Sequence, residues 1–255
     1  MRRMRHLKPR EIQGCQLALD ASIPSSLYDA TSGGSLVAAD GAVARWEDQS
    51  GSGNHVTQGT SANRPLRRVA ARGGCDALQK NAATATRMAA ASFYPSSGSA
   101  DVTIVSVSLA VSGSAYSTAW QYGGSSTTPG NRTAWLPKYD TTKSAVDFNN
   151  SYIGRSGSPT ENANWNAHSY LAESASTIAA TSQAVNSSPV TENYTLNGAT
   201  SLNVGTGIPF AVMNNDGSTM PIGYLAMVAT WNRALGQATL KRIECAAMRK
   251  WRING

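Results

Sequence analysis

Apolar and polar residues alternate in short bursts along most of this 255-residue chain. The clearest burst is DVTIVSVSLAV at 101–111. There Val105, Val107, Leu109 and Val111 share one face at period two, and Val102 and Ile104 add apolar surface to the other. GCQLALDAS at 14–22 alternates around Leu17 and Leu19 and reads as a first strand. DGAVARWEDQSGSGNHVTQ reads as a short strand, a Gly-rich turn and a second strand. RPLRRVAARGG reads as an edge or irregular segment, because Pro65 removes a ladder donor. STAWQYGG and RTAWLPKY are aromatic-bearing strands, and AHSYLAESA and STIAATSQAV form a mid-chain pair. Asn197-Gly198 stands between two alternating segments and predicts a hairpin, since both central turn residues need positive φ. PIGYLAMVATWNRAL at 221–235 is a long, mostly apolar strand.

After residue 235 the period changes. Leu240, Ile243 and Ala247 fall on one helical face, with Lys241, Arg242, Glu244 and Arg249 mostly elsewhere, which predicts a short C-terminal helix. No solenoid or propeller period is present. Strands separated by turn signals at roughly ten-residue spacing predict an all-β fold, a two-sheet antiparallel sandwich closed by that helix.

Composition supports this pattern. Charged residues are 15% of the chain, well below the roughly one quarter of an average domain. Ser, Thr, Ala, Gly and Asn fill the difference, a mixture suited to short strands and many turns. The 41% apolar content suffices for a core and excludes wholesale disorder. Cys15, Cys75 and Cys245 are far apart, form no CxxC pair and imply neither a zinc site nor a disulfide framework. The arginines at the start are followed by no apolar run, so no secretory signal is read there, and no stretch is long enough to span a membrane.

The net charge of +7 is unevenly placed. Arg2, Arg3, Arg5, Lys8 and Arg10 precede any acid, and Lys241, Arg242, Arg249, Lys250 and Arg252 face only Glu244. Removing these ten bases and one acid leaves 12 bases and 14 acids in the body. Residues 1–14 are therefore read as a basic arm and 15–255 as the sandwich domain. Such an arm suits an acidic surface on a companion protein. Nucleic acid is the weaker partner, because no aromatic interleaving or further basic stripe accompanies it.

Three motifs carry a family resemblance: LALDAS followed by Trp46, Asp48, Ser50, Gly51, Gly53 and Asn54 in W-x-D-x-S-G-x-G-N; YTLNGA; and the ending ATWNRALGQATLKRIECAAMRKWRI. In this order they resemble concanavalin A-like, laminin-G-type jelly-roll domains. Trp231 replaces that family's usual tyrosine, and Gly236 stands where a Ser or Asp cap is common. The resemblance covers residues 15 to 253. It implies the jelly-roll fold and leaves function to be argued from a site.

For the turn, the expectation is structural: Trp46 anchors the core, Asp48 accepts backbone N–H groups, and Gly51 and Gly53 supply positive φ. The sharper alternative is a calcium ion held by Asp48, Asn54 and Asp216, as in some members of the resembled fold; no D-x-D-x-D run supports it. No other cofactor is expected. None of the six glutamates stands in a strand with a second acid at matching parity, and adjacent Glu47 and Asp48 would point to opposite faces. His6, His55 and His168 have no recognisable nucleophile turn nearby. On this reading the chain is not an enzyme.

Two functions remain. One is a structural, decorating or appendage protein of a virus particle, that of a bacteriophage, anchored by its arm with the jelly roll outward, made in the host cytoplasm and located in the virion. The alternative is a carbohydrate-binding module, with sugars stacked on exposed aromatics. Its candidate platform is Trp165 with Asn164 and Asn166, then Trp120 and Tyr122.

Overall fold

The computed structural model describes residues 8–81, 86–98, 100–110, 118–124, 132–137, 143–148, 151–156, 164–173, 181–186, 188–189, 192–196, 203–213 and 223–253. The strands are β1 Cys15–Asp20, β2 Leu27–Tyr28, β3 Arg45–Trp46, β4 Val56–Thr57, β5 Leu66–Arg72, β6 Cys75–Gln79, β7 Met88–Ala89, β8 Val102–Ala110 and β9 Trp120–Gly123. They continue as β10 Arg132–Leu136, β11 Lys143–Asp147, β12 Ser151–Ser156, β13 Trp165–Ala172, β14 Ser182–Val185, β15 Ser188–Pro189, β16 Glu192–Leu196, β17 Ile208–Val212 and β18 Gly223–Trp231, and the helix α1 is Gln237–Lys250.

The strands form two antiparallel sheets. The first runs β15-β14-β13-β8-β18-β6-β5, with β1 paired to the C-terminal half of β18. The second runs β16-β12-β11-β10-β9-β17-β7-β4-β3-β2. The predicted all-β sandwich with a C-terminal helix is the observed architecture. The segment after Pro65 is β5, last in the strand order of the first sheet; Pro65 precedes the strand, and its carbonyl accepts the Val43 N–H at 2.8 Å.

Period two sorts the first sheet into two faces. Across β13, β8 and β18, one row is His168, Ser106 and Val228, and the next is Tyr170, Ile104 and Thr230. These rows face the second sheet, with Leu17, Leu19, Trp46, Trp120, Tyr122, Trp135, Phe148 and Phe210 in one buried cluster. The alternate residues Trp165, Ala167, Leu171, Val105, Val107, Ala229 and Trp231 form a second cluster under α1 with Leu240, Ile243, Ala247 and Trp251. The first sheet is therefore buried on both faces, and every residue of β13 is buried.

One expectation is corrected. Glu244 lies on the buried face of α1, 3% exposed, where it accepts the Ser169 hydroxyl; a carboxylate is tolerated there because a donor meets it. The hairpin expected at Asn197-Gly198 lies outside the described residues; on its two sides β16 pairs β12, and Val204 bridges Gly98.

The sandwich interior is unusually polar where β13 crosses it. His168 is fully buried and stacks on Trp135, ring centroids 3.6 Å apart and 4° from parallel. Burial lowers its pKa from 6.5 to about 3, with Gln183 acting weakly the other way. Burial likewise raises the Tyr122 hydroxyl to about 12, although Ser96 bonds it at 3.0 Å.

Candidate functional site

The loop after β3 closes on a single carboxylate. Asp48 Oδ1 accepts the backbone N–H of Ala18 at 2.8 Å and of Ser50 at 2.8 Å. Its Oδ2 accepts the Ser50 hydroxyl at 2.7 Å and the Asn54 N–H at 3.0 Å. Gly51 and Gly53 have φ of 93° and 76°, and Trp46 is fully buried in the inter-sheet core. The Asn54 amide donates to Gln16 O at 2.8 Å, which ties the loop to β1. Both oxygens of Asp48 thus serve the chain's own donors. Asp216 lies outside the described residues, and no cluster of three or more His, Cys, Asp or Glu suited to a metal occurs among the described ones. Cys15 lies beside this loop, and burial first, then the Asp48 charge, raises its thiol to about 12.

The expected aromatic platform is buried. Trp120 and Tyr122 are 0% exposed, because they point into the sandwich. Trp165 is 8% exposed and packs against Tyr224 in the cluster under α1. Asn166, 4% exposed, donates to Asn164 O and accepts from the Asn186 amide, so the polar flank of Trp165 fastens a strand end. Asn164 is exposed. Asparagines flanking a tryptophan marked a local hydrogen-bond motif, not a wet surface.

The structure gathers polar groups elsewhere, on the face of the second sheet turned away from the core. Trp120, Tyr122, Trp135, Val146, Phe148, Phe210 and Val212 point inward, so the residues between them point outward. Adjacent strands bring five of these into one row: Ala89, Ala211, Gln121, Ala134 and Asp147, from β7, β17, β9, β10 and β11 in register. At about 4.8 Å per strand the row is roughly 19 Å long. Four of its members are recessed although they belong to neither core cluster: Ala211 is 0% exposed, Gln121 5%, Ala134 1% and Asp147 4%. Leu136 and Ala145 extend the same floor. Arg132 donates from Nη2 to Asp147 Oδ2 at 2.5 Å, and its buried Nε has no acceptor among the described residues. The row therefore offers an amide, a guanidinium and a carboxylate above a floor of alanines.

The sequence contained a signal for this row that motif reading passed over. Gln121 stands between two aromatics, and Asp147 stands between Val146 and Phe148; a polar residue at that parity is on the outer face.

The arm is described only from Lys8. Arg2, Arg3 and Arg5 lie outside the described residues, while Lys8 and Arg10 are exposed on either side of Pro9. A 3-10 turn at Pro9–Glu11 leads into β1, and Ile12 packs against the cluster under α1. No helix among the described residues is long and apolar enough to cross a membrane.

A two-sheet sandwich with a recessed polar row on its outer face is the class of protein defined so far. No family model matches the chain, and no curated protein matches it. Solved structures do. A GH54 α-L-arabinofuranosidase soaked with 4-nitrophenyl α-L-arabinofuranoside aligns with TM-score 0.64 and 16% identity, over 96% of this chain and 66% of its own. The binding domain of Paraclostridial Mosquitocidal Protein 1 aligns with TM-score 0.55 and 9% identity, over 95% of this chain and 55% of its own. The binding domain of Botulinum neurotoxin serotype D aligns with TM-score 0.50 and 6% identity, over 92% and 51%. The chain thus spans at most 66% of the length of these three. At these identities the likeness establishes the all-β sandwich fold. It also corrects the expectation of a protein that is not an enzyme: glycosidases stand among the structures that share this fold over nearly the whole chain, so the absence of paired acids within one strand was no ground for that reading. The virion reading gains nothing from these comparisons, which bear on glycosidases and toxin binding domains.

Proposed function

We propose that this chain is a glycan-recognising β-sandwich that lays a saccharide along the outward row of its second sheet. The observation that carries this reading is the recessed row Gln121–Ala134–Asp147 with Arg132 bonded at its end. A sugar presents adjacent hydroxyls that need both donors and acceptors. Asp147 accepts, the Arg132 Nε donates, and the Gln121 amide does both. Alanines on either side of Gln121 keep the floor low, and a low floor with a few convergent polar groups is the usual form of a small-molecule site. The sandwich fold shared with arabinofuranosidases, one of them solved with arabinofuranosyl-α-1,2-xylobiose, supports a saccharide as the ligand.

The test is titration calorimetry of the full chain against a saccharide panel led by arabinofuranosyl-substituted xylo-oligosaccharides, with the same samples checked for cleavage. The expected result is saturable binding of at least one panel member. Ala134→Trp, which fills the floor, and Gln121→Ala should weaken it at least about ten-fold, while Trp165→Phe leaves it unchanged. Silence across the panel, or full binding by a folded Ala134→Trp variant, overturns the proposal.

A further inference from the structure

On the opposite side of the molecule from the saccharide row, α1 does not close completely against the first sheet. A cleft of about 420 Å³ remains between Lys8-Pro9, the end of β1, β18 and α1. Its walls are Pro9, Ile23, Met227, Ile243, Ala247 and Trp251. A smaller compartment of about 80 Å³ adjoins it and shares Lys8, Pro9, Asp20, Ile23 and Met227. The larger volume lies within the range of sites that hold a small ligand.

The rim of this cleft is charged and unbalanced. Lys250 Nζ bonds Asp20 Oδ2 at 2.5 Å and sits 4.5 Å above the Trp251 ring. That pair neutralises itself. Lys8 and Arg10 are exposed at the mouth, and no hydrogen bond or ion pair joins either side chain to another described residue. Among the described residues the rim therefore presents two positive side chains, Lys8 and Arg10, with no bonded acid, above an apolar interior; Glu11 follows Arg10 in the same turn. Water gains little from apolar walls, and an acid at the mouth would find free cations.

We infer that this cleft between α1, β1 and β18 is a binding site for an amphiphilic monoanion, an aliphatic or aromatic body carrying one carboxylate or sulfonate. The apolar body lies against Met227, Ile243 and Trp251, and the anionic head stays at the mouth between Lys8 and Arg10. The site is independent of the saccharide row, since the first sheet and the inter-sheet core separate the two.

The probe is sodium dodecanoate, titrated into the full chain below its micellar concentration, with dodecanol and dodecyltrimethylammonium as neutral and cationic matches. Dodecanoate should bind one per chain and more tightly than either match. Ala246→Trp, on the cleft lining, should weaken all binding at least about ten-fold. Lys8→Glu with Arg10→Glu, both on exposed side chains and so harmless to the fold, should weaken dodecanoate about five-fold and leave dodecanol unchanged. The inference is overturned if dodecanoate shows no saturable binding, if the cation binds as tightly as the anion, or if the charge-reversed variant binds dodecanoate at full strength. Full binding by a folded Ala246→Trp variant would place the ligand elsewhere and overturn it equally.

Discussion

His168 gives the sharpest quantitative handle on this fold. It is fully buried on β13, stacked on Trp135 and level with Ser106 and Val185 on the neighbouring strands. Its pKa falls from 6.5 to about 3, because burial strips the water that an imidazolium would need and Gln183 offsets this only in part. The sign follows directly. Above pH 6.5 the ring is neutral in both folded and unfolded chains and contributes no pH dependence. Below pH 6.5 the unfolded chain takes up a proton that the folded chain refuses until about pH 3. Stability therefore falls through that window, by about 2 kcal/mol at pH 5 and about 3 kcal/mol at pH 4, approaching about 5 kcal/mol below pH 3. Carboxylates in general titrate in the same acid range, so the wild-type curve alone does not isolate the ring. His168→Phe does, since it keeps the stack on Trp135 and removes the titration. Urea unfolding, followed by the fluorescence of the buried tryptophans, should show the wild-type midpoint falling further than the variant's between pH 7 and pH 4. The excess should be on the order of 1 M urea. Parallel curves for the two proteins would mean that His168 is hydrated or charged in the folded state, and the buried interior described for β13 would be wrong.

Three further outcomes follow from named contacts. Asp48→Ala removes four hydrogen bonds that join the loop after β3 to itself and to β1, and should cost about 3 kcal/mol or more in urea unfolding. A cost under about 1 kcal/mol would show that the loop is held by other means. Cys15, pushed up to about 12 chiefly by burial, should react with a thiol-specific disulfide at pH 8 many times more slowly in the folded chain than in urea; equal rates would contradict its burial beside Asp48. Lys80 has a buried Nζ with no acceptor among the described residues, and burial lowers its pKa from 10.5 to about 8. Because the folded chain resists that proton, Lys80→Met should stabilise at pH 7, and the gain should shrink as pH rises from 8 to 10.5; a destabilised variant at pH 7 would show that the ammonium is solvated or paired.

How far the sequence reached depended on whether a feature was local. The strand at 101–111 showed its two faces because alternation is a property of neighbours in the chain. Val105 and Val107 do pack under α1, and Val102 and Ile104 do face the other sheet. The helix was legible from Leu240, Ile243 and Ala247 for the same reason. Its buried Glu244 was not, since the donor that makes it tolerable, Ser169, lies 75 residues away. The aromatic platform failed on a related point. Alternation states that Trp120 and Tyr122 share a face, but it does not state which face is wet. With aromatics on one side and Gln121 on the other, the packing of two sheets decides, and it buries both rings. The saccharide row lies at the far end of this scale. Gln121, Ala134 and Asp147 are neighbours only through strand register, and register between β9, β10 and β11 is fixed by the inward packing of Trp120, Trp135 and Val146. A one-residue slip of β10 would carry Ala134 inward and Trp135 out, and would separate Arg132 from Asp147. The row and the core are therefore two faces of one register, so a substitution that weakens the inward stack on Trp135 should loosen the Arg132–Asp147 end of the row as well.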